Sequence, residues 1–205
     1  MKNEITVRVK CSKSELINIL KNKGFYLIDK FNVIDTYYIN KNKKLNEITL
    51  NNFFKKYILL RHIKQYKGSN FKDYYDEFKI TYKTKNIASN GDIIQQNKYD
   101  CKIFDINEGR KLLTALGYKE LFTIKEETIT YYNNRINVDI KSVEDGDILL
   151  ELETNKELDT IDKLKQEIKN LDIPIDESDF FVKKAERKLK DLLGEKQWLI
   201  LIMLI

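Results

Sequence analysis

Several segments of this chain alternate, residue by residue, between charged or polar side chains and apolar ones. In "EITVRVK", Ile5, Val7 and Val9 point one way, and Glu4, Thr6, Arg8 and Lys10 the other. In "EFKITYK", Lys79, Thr81 and Lys83 share a face, with Phe78, Ile80 and Tyr82 behind them. In "LLELET", Glu151 and Glu153 oppose Leu150 and Leu152. Arg61 of "ILLRHIK" shares its face with Leu59 and Ile63, and "TIKEET" lines up Thr123, Lys125 and Glu127. A period of two is a strand period, and any sheet with one wet face shows it once or twice. A whole set constrains more. Closed into a barrel with the apolar faces outward under helices, these strands would enclose carboxylates, ammonium groups and guanidinium groups in one volume.

Helices to cover such a sheet are present. "CSKSELINILKNKGF" offers Ser12 as N-cap, Glu15 three residues on, Leu16, Ile17 and Leu20 on one face, and Gly24 as a stop. "DINEGRKLLTALGY" repeats the design with Asp105, Glu108, the stripe Leu112, Leu113 and Leu116, and Gly117. Ser12 to Asp105 and Gly24 to Gly117 are both 93 positions, and paired tyrosines follow each helix, Tyr37–Tyr38 and Tyr131–Tyr132. The economical reading is an internal two-fold pseudo-repeat. Further strands are expected at 57–65, 76–84, 92–101, 121–132, 135–143 and 147–154, with hairpin turns at Asn90–Asp92 and Asp145–Asp147. Residues 40–57 read as a polar connection holding a short helix. Two helices close the chain. One carries Ile161, Leu164, Ile168 and Leu171, with Pro174 beyond it; the other is capped by Ser178 and carries Phe181, Ala185, Leu189 and Leu192. The fold class is α+β: an antiparallel, mostly hairpin-connected sheet with helices outside it, in a single domain over 1–194, followed by an apolar tail at 195–205.

Composition narrows the chemistry. Cys11 and Cys101 form no metal-spaced pair, and the N-terminus carries no signal peptide, so a reducing, cytoplasmic setting is expected. His62 is the one histidine, which excludes a histidine dyad or zinc held by several histidines. By alternation it points away from Arg61. The tail "WLILIMLI" is too short for a membrane span, which takes about 20 residues. The net charge of +5 favours anionic partners mildly. Lysines are spread among acidic residues without a basic stripe or stacking motif, which argues against nucleic acid. Mixed carboxylates and cations in one enclosed volume suit a metal-bound polyphosphate: carboxylates hold Mg²⁺ or Mn²⁺, and Lys and Arg neutralise phosphate oxygens.

These residues resemble the CYTH domains, or triphosphate tunnel metalloenzymes, a family of class IV adenylate cyclases, thiamine triphosphatases and inorganic triphosphatases. "EITVR" is similar to the family's opening E-x-E-x-K strand, "LRHI" to its arginine strand, "ITYK" to its lysine strand, and "EDGDILLELET" to its closing acidic pair. The resemblance runs from about residue 3 to about residue 190 and rests on order and spacing. It implies eight antiparallel strands closed into a tunnel around a triphosphate-containing small molecule. It implies that Glu4, Glu151 and Glu153 are the catalytic carboxylates and ligands of Mg²⁺ or Mn²⁺. Arg8, Arg61, Lys83 and Lys125 would bind phosphate, with Lys10 and Lys79 facing the same way. The implied activity is a triphosphatase ahead of a cyclase. Three positions depart from the family pattern: Thr6 for a carboxylate, Glu127 for an arginine, and Lys141 for an aspartate. The last two swaps are of opposite sign and would compensate if they touched. With a carboxylate lost, the alternative is a binding module of the same fold with weakened turnover.

Overall fold

The structure, a computed structural model, describes residues 4–67, 71–87 and 93–202. Along the chain run β1 (Glu4–Arg8), α1 (Lys13–Asn22), β2 (Tyr26–Asn40), α2 (Leu50–Lys55), β3 (Lys56–Lys67), β4 (Asp73–Ile87) and β5 (Ile93–Ile103). They are followed by α3 (Ile106–Ala115), β6 (Tyr118–Tyr132), β7 (Asn137–Val143), β8 (Ile148–Glu153), α4 (Ile161–Asn170) and α5 (Glu186–Ile202). The strands form one antiparallel sheet in the order β1-β8-β7-β6-β2-β3-β4-β5. The expected turn at Asn90–Asp92 lies outside the described residues, whereas that at Asp145–Asp147 forms, with Asp145 at φ 54°. Cys11 and Cys101 are free thiols. No described helix is long and apolar enough to cross a membrane.

The repeated helix design appears twice as expected. Ser12 Oγ accepts the Glu15 N–H at the start of α1, and Asp105 accepts the Asn107 and Glu108 N–H groups at the start of α3. Gly24 and Gly117 then take φ of +80° and +84°, which a side chain resists, and each leads into a 15-residue strand.

Two expectations about helices are corrected. The stripe of α3 is not Leu112, Leu113 and Leu116: Leu113 is buried against Tyr38 and Leu60, while Leu112 and Leu116 are exposed. Gly109 is buried on the side of Leu113, where a Cβ would lie 2.9 Å from Leu60 Cδ1, so the helix approaches on its Gly109–Leu113 face. The last helix does not start after Ser178 but at Glu186. Residues 180–182 are instead extended along β1: the Thr6 N–H donates to Phe180 O, and the Val182 N–H donates to Thr6 O. That pairing also bears on closure. The hydrogen-bonded order leaves β1 and β5 as end strands, so the sheet is not closed by hydrogen bonds. The outer edge of β1 is satisfied by residues 180–182.

The chain clusters into two compact units, interleaved in sequence. The first comprises Met1–Val33, Lys64–Tyr75 and Lys125–Lys184. Within it, β1, β8 and β7 pair in antiparallel register, as do β7 and β6. One face of these strands is an apolar layer. Ile5, Val7, Leu150, Leu152, Val138 and Ile140 are all buried there, and α1 and α4 bury Leu16, Leu20, Leu164 and Ile168 completely. The helix α4 lies against β1.

The second unit comprises Ile34–Ile63, Asp76–Ile124 and Ala185–Ile205. Its larger core joins Tyr37, Tyr57, Leu59 and Phe122 of the strands to Phe53 and Phe54 of α2 and Leu189 of α5. Tyr37 and Phe122 stack with centroids 4.8 Å apart. The five rings of Tyr37, Phe53, Phe54, Tyr57 and Phe122, linked through ring contacts, give this core a large buried payload from few residues.

Candidate functional site

The polar face of β1, β8, β7 and β6 in the first unit is buried over much of its extent. Thr6, Glu151, Glu126, Thr128 and Thr130 are all buried. Register explains which side chains meet. Glu4 lies opposite Glu153 and Thr6 opposite Glu151 across β1 and β8. Asp139 of β7 lies opposite Glu151, and Thr128 and Thr130 of β6 lie opposite Lys141 and Asp139.

Oxygens of Glu4, Glu151 and Glu153 lie within 4.8 Å of one another. Like charges placed directly across a ladder destabilise it unless a cation or a proton intervenes. Beside them opens a cavity of about 410 Å³ whose polar lining includes Asp29, Arg135, Asp139, Glu151 and Glu153. Glu153 is exposed, Glu4 half-buried and Glu151 buried, so the carboxylates run from the open side inward.

Glu151 is held on both oxygens. Thr6 Oγ1 donates to Oε2 at 3.0 Å, and the Lys141 ammonium lies 2.5 Å from Oε1. Burial works against the Lys141 charge, but Glu151, Glu126 and Glu4 outweigh it and raise its pKa. Lys141 and Glu127, the two departures of opposite sign, do not pair with each other. Glu127 meets Lys13 and Lys30 at 2.7 and 2.8 Å. Although burial opposes ionisation there, those two ammonium groups keep Glu127 below the usual carboxylate range.

Two residues of this face escaped the sequence reading. Asp139, two positions before Lys141 and on the same face, supplies a carboxylate next to Glu151. Burial pushes its pKa up to about 6, against the Thr130 hydroxyl that donates to it at 2.6 Å. The alternation of "NVDIKSV" carried that signal. Glu126 is buried and paired with Lys184 at 3.0 Å. It was missed because "KEE" leaves the facing residue ambiguous by one position.

The expected phosphate-binding residues are dispersed. Arg8 shares the polar face with Glu4 and pairs with Asp147 at 3.0 Å. Lys10 lies beyond the end of β1 and is exposed. Lys125 lies on the opposite face of β6 from Thr128, exposed and paired with Glu144. The other three belong to the second unit. There Arg61 grips Asp35 through two bonds of 2.6 and 2.7 Å, with Asp35 wholly buried. Lys79 lies 3.3 Å from Glu77 and 3.6 Å from Asp100, and Lys83 is half-buried opposite Lys98. His62 pairs with Asp76.

No protein-family model matches the chain, and no curated protein does. Solved structures do share its fold. The PH1819 protein of Pyrococcus horikoshii is 17% identical over 93% of this chain and 99% of its own, with a TM-score of 0.68. A candidate adenylyl cyclase from Hippeastrum, described as having a dominant triphosphatase activity, is 13% identical over 92% and 96%, with a TM-score of 0.59. A candidate adenylate cyclase from Vibrio parahaemolyticus is 14% identical over 94% and 97%, with a TM-score of 0.57. The resemblance to the CYTH family thus holds in the fold.

Proposed function

We propose that this chain, with the fold of candidate adenylate cyclases and of a protein with triphosphatase activity, binds a triphosphate-containing small molecule and hydrolyses it. One observation carries the reading: Glu4 and Glu153 face each other across a ladder, with Glu151 beside them, all three within 4.8 Å. Hard carboxylate oxygens at that separation fit a Mg²⁺ or Mn²⁺ ion, with Glu4 and Glu153 as the more accessible ligands. Such an ion would neutralise phosphate oxygens and polarise the phosphorus centre. Arg8, on the same face as the carboxylates, supplies a guanidinium for phosphate oxygens. Asp139, its pKa raised to about 6 by burial and therefore mostly ionised at neutral pH, sits opposite Glu151 and is suited to accept the proton of an attacking water.

The test is to incubate the protein with inorganic triphosphate, thiamine triphosphate or ATP, each with Mg²⁺ and with Mn²⁺, and to assay phosphate and cyclic AMP. The expected result is phosphate release, reduced at least 100-fold in Glu153→Gln, the range typical for loss of one catalytic group. Absence of turnover with every substrate would overturn it. A second reading, a binding module with weakened turnover, is favoured by the occupation of both Glu151 oxygens by Thr6 and Lys141. Thermal stabilisation by triphosphate without turnover distinguishes it.

A further inference from the structure

The carboxylate group described above already contains a cation. The Lys141 ammonium lies 2.5 Å from Glu151 Oε1, its side chain is only 16% exposed, and Glu4 and Glu126 also act on it. The other oxygen of Glu151 accepts the Thr6 hydroxyl, at a position where a fourth carboxylate would strengthen a metal site. The two unusual residues of this face therefore converge on one carboxylate. Thr6 removes a negative charge from the face and Lys141 brings a positive one. A divalent ion binding Glu151 would have to approach to about 2.1 Å of oxygens already held by a hydroxyl and an ammonium.

We infer that Lys141 is the built-in counter-ion of the Glu4–Glu151–Glu153 group and that its side chain, rather than a metal, occupies the Glu151 end. Divalent cations are thereby confined to the Glu4–Glu153 end and bound weakly by the protein alone. A metal reaches this site as the complex it forms with a polyanionic ligand, not as a resident ion. Lys141 is thus a positioning residue that sets metal affinity. The inference rests on the reading of these carboxylates as the cation-facing part of a ligand site. It does not rest on turnover.

The experiment is a Mn²⁺ binding titration, by electron paramagnetic resonance, of the full chain and of Lys141→Gln and Lys141→Arg. Gln keeps hydrogen-bond donors and removes the charge; Arg keeps the charge. Lys141→Gln is expected to bind Mn²⁺ roughly tenfold or more tightly than the parent, and Lys141→Arg to match the parent. Equal or weaker binding by Lys141→Gln overturns the inference. Should the Gln variant not fold, a measurement on the parent decides. The ε-methylene resonance of Lys141 is expected to stay in place on addition of one equivalent of Mg²⁺, and a shift overturns the inference. A chain that cleaves no triphosphate fails the hydrolase reading and leaves these metal-binding outcomes intact.

Discussion

At the scale of single residues, paired charges decide more than isolated ones. Arg61 and Asp35 form a two-bond ion pair on the strands that also carry the aromatic core of the second unit. Removing one partner leaves an uncompensated charge, so Arg61→Met is expected to cost about 3–5 kcal/mol. Urea denaturation should show this, and the double replacement Arg61→Met with Asp35→Leu should recover much of the loss. Asp139 contributes in the opposite sense. Its folded pKa of about 6 lies above the ordinary value of 3.8, so the folded chain holds the proton more tightly than the unfolded one. Stability is therefore lost as pH rises from about 4 to about 6, by on the order of 2–3 kcal/mol. Asp139→Asn is expected to match the parent near pH 4 and to melt higher at pH 8 in a thermal titration. Strand alternation, a short-range rule, made the polar faces carrying Glu4, Glu151 and Glu153 legible, and the resemblance to the CYTH family set the three together. The sequence could not show that Lys141 meets Glu151 rather than Glu127, because that depends on which strands become neighbours.

At the scale of elements, turn and cap chemistry was readable and edge pairing was not. Gly24 and Gly117 announced the ends of α1 and α3 because positive φ is a local demand. Gly117→Ala is expected to cost about 1–2 kcal/mol, and differential scanning calorimetry would register it as a lower melting temperature. The delayed start of α5 had no local signal, since "SDFFVKKAERKL" has good helical spacing from Phe181 on. The open N–H and C=O of Thr6 drew residues 180–182 into extended pairing instead. Val182→Pro removes the N–H that donates to Thr6 O, and is expected to destabilise the chain by a few kcal/mol. Faster amide exchange at Thr6 would locate the effect; an unchanged exchange rate would contradict the pairing.

At the scale of the whole molecule, each compact unit draws on three separated stretches of chain. The first unit cannot be completed until β8 joins β1 to β7. A fragment ending at residue 144 is thus expected to show no cooperative melt by circular dichroism, and a sharp transition would contradict this. The pairing has a consequence for synthesis. Thr6 and Glu151 are 145 positions apart. At about 5–20 residues per second, β1 leaves the ribosome on the order of ten seconds before its partner exists. Through that interval Ile5 and Val7 have neither β8 beside them nor α4 against them, and β1 waits for both. Expression level should then respond to translation speed and to chaperones that hold unpaired apolar segments.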